Sequence, residues 1–338
     1  MSKLTSFLMF LVLPFCFLCI GSCIYINGNC GDNLKSEHKR DVELETDMAE
    51  GVTVSVETSH SHIYVSGTDE KRCYVKANIR VRAENAEKAR EIAEKVKVDF
   101  KKFGEHVIIA AFTPQVEEKY GVYVSYDVRA PRKTNVILKT SHGPVECQNL
   151  DGNITASTTY DTVRCSNIRG NLRITTSHDP IECSNIVGDL KLNTTHGQIK
   201  LNHITGSVEA NTTHAPIEAE YVSGRMDLRT SHGRVLCREI DSNKLYIQTS
   251  HDNVNISFKS AIEGEINANI NTSYGNIEFD LPIDFNGEVF MSTTHGKIKS
   301  DVPIVVKGEI SEENITGKIG EGAGKVSLKT EHGSIILK

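Results

Sequence analysis

Apolar and polar residues alternate along most of this chain, and the alternation itself repeats every 18 residues through its middle. Take His142 as the origin of a unit. Three places on stand Val145, Val163, Ile181, Ile199, Ile217 and Val235, and five places on stand Cys147, Cys165, Cys183, Leu201, Ala219 and Cys237. Further columns begin at Leu150 and Ile168, at Ile154 and Leu172, and at Ala156 and Ile174. Apolar residues two apart, with polar ones between them, are the pattern of a strand with one buried face. Each unit therefore predicts two short strands and two turns.

A unit this short cannot bury its own apolar face, so neighbouring units must stack. The arrangement that does this is a mainly β fold, a β-solenoid of two-strand coils with equivalent residues about 4.8 Å apart along the axis. The competing geometry is an antiparallel β-meander with two-residue hairpins at His-Gly. A single open sheet leaves its apolar face wet, which favours the solenoid.

Two polar columns accompany the apolar ones. Thr140, Thr158, Thr176, Thr194, Thr212 and Thr230 stand two places before the origin, and the series continues at Thr249, Thr272, Thr293 and Thr330. They are expected to point inward as a structural ladder in which each hydroxyl satisfies its neighbour. The origin column is His142, Tyr160, His178, His196, His214 and His232, then His251, Tyr274, His295 and His332 at looser spacing. His60 reads as an isolated early copy. A histidine before glycine suits a turn residue with positive φ. The column is thus expected to be an exposed turn and surface ladder at a corner.

Segment 49–135 departs from the period and reads as an α+β cap over the first coil, with the solenoid proper at 136–338. Alternating strands begin at Cys73, Val107 and Val122. Between them "ENAEKAREIAEKV" predicts a helix near 85–96, with Asn85 as N-cap and a stripe of Ala86, Ala89, Ala93 and Val96. The last repeat, "KVSLKTEHGSIILK", has no cap after it, which predicts an open terminal coil and end-to-end self-association.

Composition sharpens the class. The 338 residues hold 38 Lys and Arg against 44 Asp and Glu, with no basic stripe, so nucleic acid is not an expected partner. Residues 1–22 read as a secretory signal, one lysine followed by an apolar run too short to span comfortably. The run ends in Ile20-Gly21-Ser22-Cys23, which resembles a bacterial lipobox, with Gly21 where Ala or Ser is commoner. That resemblance implies lipidation at Cys23 and a membrane partner through the anchor. A plain cleaved signal and an uncleaved anchor are the alternatives. Residues 23–48 then read as a tether.

The chemistry offered is sparse. Metal sites need groups converging on a point, and a straight column of imidazoles does not converge, so no metal or other cofactor is expected. Cys147, Cys165 and Cys183 read as small buried fillers. The outward acids Glu146, Glu182 and Glu218 share a column with Arg164, Lys200 and Leu236, a solvated face rather than a catalytic pair. An ice-binding array fails because the relevant column mixes Ser157, Thr175, Asn193, Asn211 and Arg229.

The units "KTSHGPVEC", "NTTHGQIKL", "RTSHGRVLC", "STTHGKIKS" and "KTEHGSIIL" resemble the bacterial putative-adhesin lipoprotein family, a β-strand repeat domain of unknown function. The resemblance covers roughly residues 45–338. It implies a surface-exposed β-solenoid and carries over no ligand or catalytic residue. The expected function is a non-catalytic cell-envelope lipoprotein, on the periplasmic face or the cell surface, that meets a glycan or a protein surface. The alternative is a self-assembling envelope scaffold, and a polysaccharide-active enzyme ranks below both.

Overall fold

A computed structural model describes residues 36–117, 119–307 and 311–338. The signal segment, Cys23 and the first part of the tether lie outside the described residues.

The fold is a β-solenoid. Consecutive 18-residue units pair in parallel and in register, so that Ile181 lies against Ile199, Cys183 against Leu201, and Leu190 against Val208. Two long sheets result among the described residues, one of 14 strands and one of 15. Their inner faces carry the apolar columns, and Val163, Ile181, Ile199, Ile217, Ile174 and Leu192 are fully buried. Parallel in-register stacking is what removes these faces from water, and the meander does not occur in the repeat.

The left-handed turn falls at a different position from the one expected. The non-glycine residues with positive φ among the described residues are Asn149, Asn167, Asn185, His203, Tyr221 and Glu239, at 51 to 58°, one in each of the six coils from His142 to His232 and seven places after the origin. No member of the His142 column has positive φ. Asparagine enters this region more readily than other non-glycine residues. The three asparagines also bond one another, with Asn167 Nδ2 donating to Asn149 Oδ1 at 3.2 Å and Asn185 Nδ2 to Asn167 Oδ1 at 3.1 Å. The glycine after the ring residue has another cause. A Cβ on Gly233 would lie 1.9 Å from the Ala215 carbonyl of the preceding coil.

The two ends revise the domain boundaries. Thr53–Glu57 and Ile63–Thr68 form a coil in register with Asn135–Lys139 and Val145–Leu150. Beyond it, His106–Phe112 and Gly121–Pro131 supply a further coil. Much of the segment expected as cap is therefore solenoid. The expected tether ends early, because Ser36–Asp47 is a strand paired antiparallel with Arg72–Ala83. That strand, Arg72–Ala83, Lys97–Phe103 and the helix form the actual cap.

The helix spans Ala86–Lys95, and the Asn85 side chain accepts from Lys88 N at 2.8 Å, as an N-cap does. It buries Ala89, Ile92 and Ala93, while Ala86 is exposed. Arg40 reaches the helix's far end and donates to the carbonyls of Glu94 and Val96. Among the described residues, no helix is long and apolar enough to cross a membrane.

At the far end the last repeat is not terminal. Gly324–Lys329 lies between Asn267–Asn271 and Gly287–Ser292, and Ile335–Leu337 between Ile277–Asp280 and Ile298–Ser300. The spatially last coil is the one before it in sequence. Asn314–Ile319 covers its Gly287–Ser292 strand in antiparallel fashion. The open terminal repeat expected from sequence is thus absent, because the chain folds back and threads its own end inward.

Candidate functional site

Stacking the units brings the origin column into one unbroken line of rings. In space the order is His60, His142, Tyr160, His178, His196, His214, His232, His251, Tyr274, His332 and His295. Neighbouring centroids are 4.6 to 5.2 Å apart. All eleven residues are exposed. His60 is therefore the first member of the ladder rather than an isolated copy. The swapped order of His332 and His295 follows from the insertion of the last repeat.

The rings are fixed by the turn beneath them. His196 N donates to Ser177 O at 2.9 Å, and His214 N to Thr195 O at 3.0 Å, and so on from coil to coil. The ring nitrogens join in at two places, where Nδ1 of His178 meets Thr159 O at 3.2 Å and Nδ1 of His251 meets Ser231 O at 3.3 Å. A carbonyl only accepts, so Nδ1 is the donor in both contacts. Faces are consumed by stacking, and what the ladder offers solvent is ring edges. Partial desolvation by the surrounding turn and the neighbouring His142 hold the His60 imidazole below the usual histidine range.

The threonine column sits just inside and is buried throughout, from Thr140 and Thr158 through Thr176, Thr194, Thr212 and Thr230 to Thr330. Its bonds differ from the expected hydroxyl chain. Thr230 Oγ1 donates to Ala215 O of the preceding coil at 3.1 Å and accepts from Gly233 N at 3.2 Å. Thr212 Oγ1 donates to Gly197 O at 3.2 Å in the same manner. Along the column the hydroxyls join neighbouring coils through backbone carbonyls, Thr194 excepted, whose hydroxyl accepts from Gly197 N of its own turn.

A third column escaped sequence reasoning. One place before each ring stand Ser59, Ser141, Thr159, Ser177, Thr195, Thr213, Ser231, Ser250, Ser273 and Thr294, with Glu331 as the one departure. These residues are half-buried or exposed. None of the ten hydroxyls is engaged by another protein group among the described residues. The signal was present in the same repeat, but Ser and Thr in a turn look like ordinary loop composition until the turns align.

A family model for Toastrack DUF4097 matches residues 48–338, nearly the whole described chain. The chain belongs to the Toastrack DUF4097 family. No curated protein matches it. Two solved structures are similar to it at low identity. One is a putative cell adhesion protein from Clostridium sporogenes, 9% identical, covering 88% of this chain and 99% of its own, with a TM-score of 0.21. The other is a putative adhesin from Bacteroides fragilis, 10% identical, covering 88% of this chain and 97% of its own, with a TM-score of 0.24.

Elsewhere on this Toastrack solenoid the candidate chemistry is neutralised. Arg164 bridges Glu182 at 2.9 Å and Glu146 at 3.5 Å, and Arg234 holds Glu218 at 2.8 Å. Cys147, Cys165 and Cys183 occupy adjacent coils as buried free thiols, and the neighbouring Cys165 thiol together with burial pushes the Cys147 thiol well up. Among the described residues, no three His, Cys, Asp or Glu side chains converge as a metal site.

Proposed function

We propose that the protein is a non-catalytic lipoprotein of the cell envelope, anchored at Cys23, whose solenoid serves adhesion or surface recognition. The observation that carries this reading is the pair of parallel rails, exposed ring edges beside unengaged hydroxyls, running along one corner. A regular, rigid, hydrogen-bonding surface of this length suits an extended or repeating partner better than a small molecule. The carboxylates of the outward column are held in ion pairs with arginines, which gives no support to a hydrolytic reading.

A pull-down from solubilised cell envelope with the full chain, combined with a glycan array, tests the recognition role. Specific retention of an envelope component is expected. Retention that is unchanged when the ring column is replaced would sink it. Palmitate labelling with a Cys23→Ala control tests the anchor, and electron microscopy tests the scaffold alternative, which requires filaments.

A further inference from the structure

The rails are not uniform along the solenoid, and their middle differs in charge from their flanks. Next to the rings, one place on, stand Asp161, Asp179 and Asp252, but Gly197, Ala215 and Gly233 follow His196, His214 and His232. Three consecutive rings, with centroids 4.7 and 5.1 Å apart, thus carry no adjacent carboxylate on their own turns.

The charged groups facing this stretch can be named from each side. The strands leading in end at Asn193, Asn211 and Arg229, and Arg229 is paired with Asp227 at 2.8 Å. On the strands leading out stand Lys200, Glu218 and Leu236, with Arg234 on Glu218 at 2.8 Å. The flanking coils add His178 with Asp179 and His251 with Asp252. Lys200 has no carboxylate partner among the described residues. On these three coils Glu218 and Asp227 are held by arginines and Lys200 is free, while Asp179 and Asp252, which no cation pairs among the described residues, stand one coil to either side.

Thr195, Thr213 and Ser231 lie beside these rings with unengaged hydroxyls. Hydroxyls that donate and accept are suited to sugar hydroxyls. Imidazole edges become additional donors, and gain charge, as pH falls through the histidine range. Protonating neighbouring rings places like charges about 5 Å apart, which costs free energy in the bare protein. An anionic chain laid over the rings offsets that cost, so binding and protonation must favour each other.

We propose that His196, His214 and His232, with Thr195, Thr213 and Ser231, form a proton-gated binding site for a carboxylate-bearing polysaccharide lying along the solenoid axis. This rests on the recognition reading above and gives it a substrate class and a regulator. The periodic site fits a periodic ligand, and each added sugar engages the next coil at high effective concentration.

The test uses the full chain in detergent, passed over immobilised polygalacturonate, neutral dextran and polyglutamate at about pH 5.5 and about pH 7.5, either side of the histidine range. Polygalacturonate should bind roughly tenfold more tightly at the lower pH, the size that a few exposed charge pairs supply together. The His196→Asn/His214→Asn/His232→Asn variant should lose that gain, and His38→Asn/His203→Asn should keep it. Thermal melting of each variant confirms that it is folded. Equal binding of polygalacturonate at both pH values, or a gain that survives the triple variant, overturns the proposal. Equal binding of polyglutamate also overturns it, since the hydroxyl rail would then contribute nothing. Retention of an envelope partner by the triple variant, in the pull-down described above, would leave recognition standing while this site falls.

Discussion

Thr330 Oγ1 donates to the Gly275 carbonyl at 2.9 Å, across 55 residues of chain. Thr293, which precedes it in sequence, bonds instead to Gly333 at 2.8 Å. The same inward hydroxyl therefore joins coils that are neighbours in space and not in order. This pair of bonds marks where the chain threads its last repeat between the two before it.

The threading predicts the effect of truncation. Removing 324–338 takes out an interior coil and leaves Gly287–Ser292 without its parallel partner. Native-state hydrogen exchange of the truncated chain should show loss of protection throughout 287–300. Protection retained there would mean that the last repeat is a dispensable end.

The threonine bonds predict a local cost. Thr230→Val keeps shape but leaves the Gly233 N–H and the Ala215 carbonyl short of a partner in a buried place. That should destabilise by about 1–3 kcal/mol. Thr175→Val, on an exposed position of a strand, should stay within about 0.5 kcal/mol of the parent. Urea denaturation of both variants checks the contrast.

Backbone conformation predicts another contrast. Asn167 has a φ of 55° and Tyr221 one of 53°. Asn167→Val forces a β-branched residue into the left-handed region and should cost at least about 1–2 kcal/mol. Val163→Ile, on the same strand with ordinary backbone, lacks that strain, and its cost should come from packing alone. Melting temperatures of the two variants separate backbone strain from overpacking.

The ring ladder predicts a pH dependence with a definite sign. Partial desolvation, with His142 adding to it, lowers the His60 pKa in the folded state. The unfolded chain then binds more protons below the ordinary value of about 6.5, so stability is complete above that value and declines as pH falls through it. The melting temperature should fall between about pH 7.5 and about pH 5, and His60→Asn should reduce the fall. An unchanged melting temperature would remove the idea.

The thiols give a chemical check on burial. Burial pushes Cys73 and Cys237 up to about 12, so neither is a thiolate near neutral pH. Together with Cys147, Cys165 and Cys183, they should resist a thiol reagent until denaturant is added. Labelling of any of the five in the native protein would contradict their placement.

The repeat was legible because stacking requires like residues at like positions. The apolar columns, the buried threonines, the helix with its Asn85 cap and the exposed His column are all consequences of local pattern, and a single sequence displays them. Asn149, Asn167 and Asn185 were equally regular. Their role at the left-handed corner stayed hidden because asparagine and histidine both tolerate positive φ, and only the backbone shows which turn needs it.

What tertiary structure alone decided is the order of the coils. Periodicity makes each unit compatible with every other, so local pattern cannot say which neighbour a unit takes. At both ends the chain reverses that order. Thr53–Thr68 sits inside the coil that follows it, and Gly324–Leu337 sits inside the coil that precedes it. The choice rests on which exposed edges remain to be covered, a property of the whole stack that no single repeat contains.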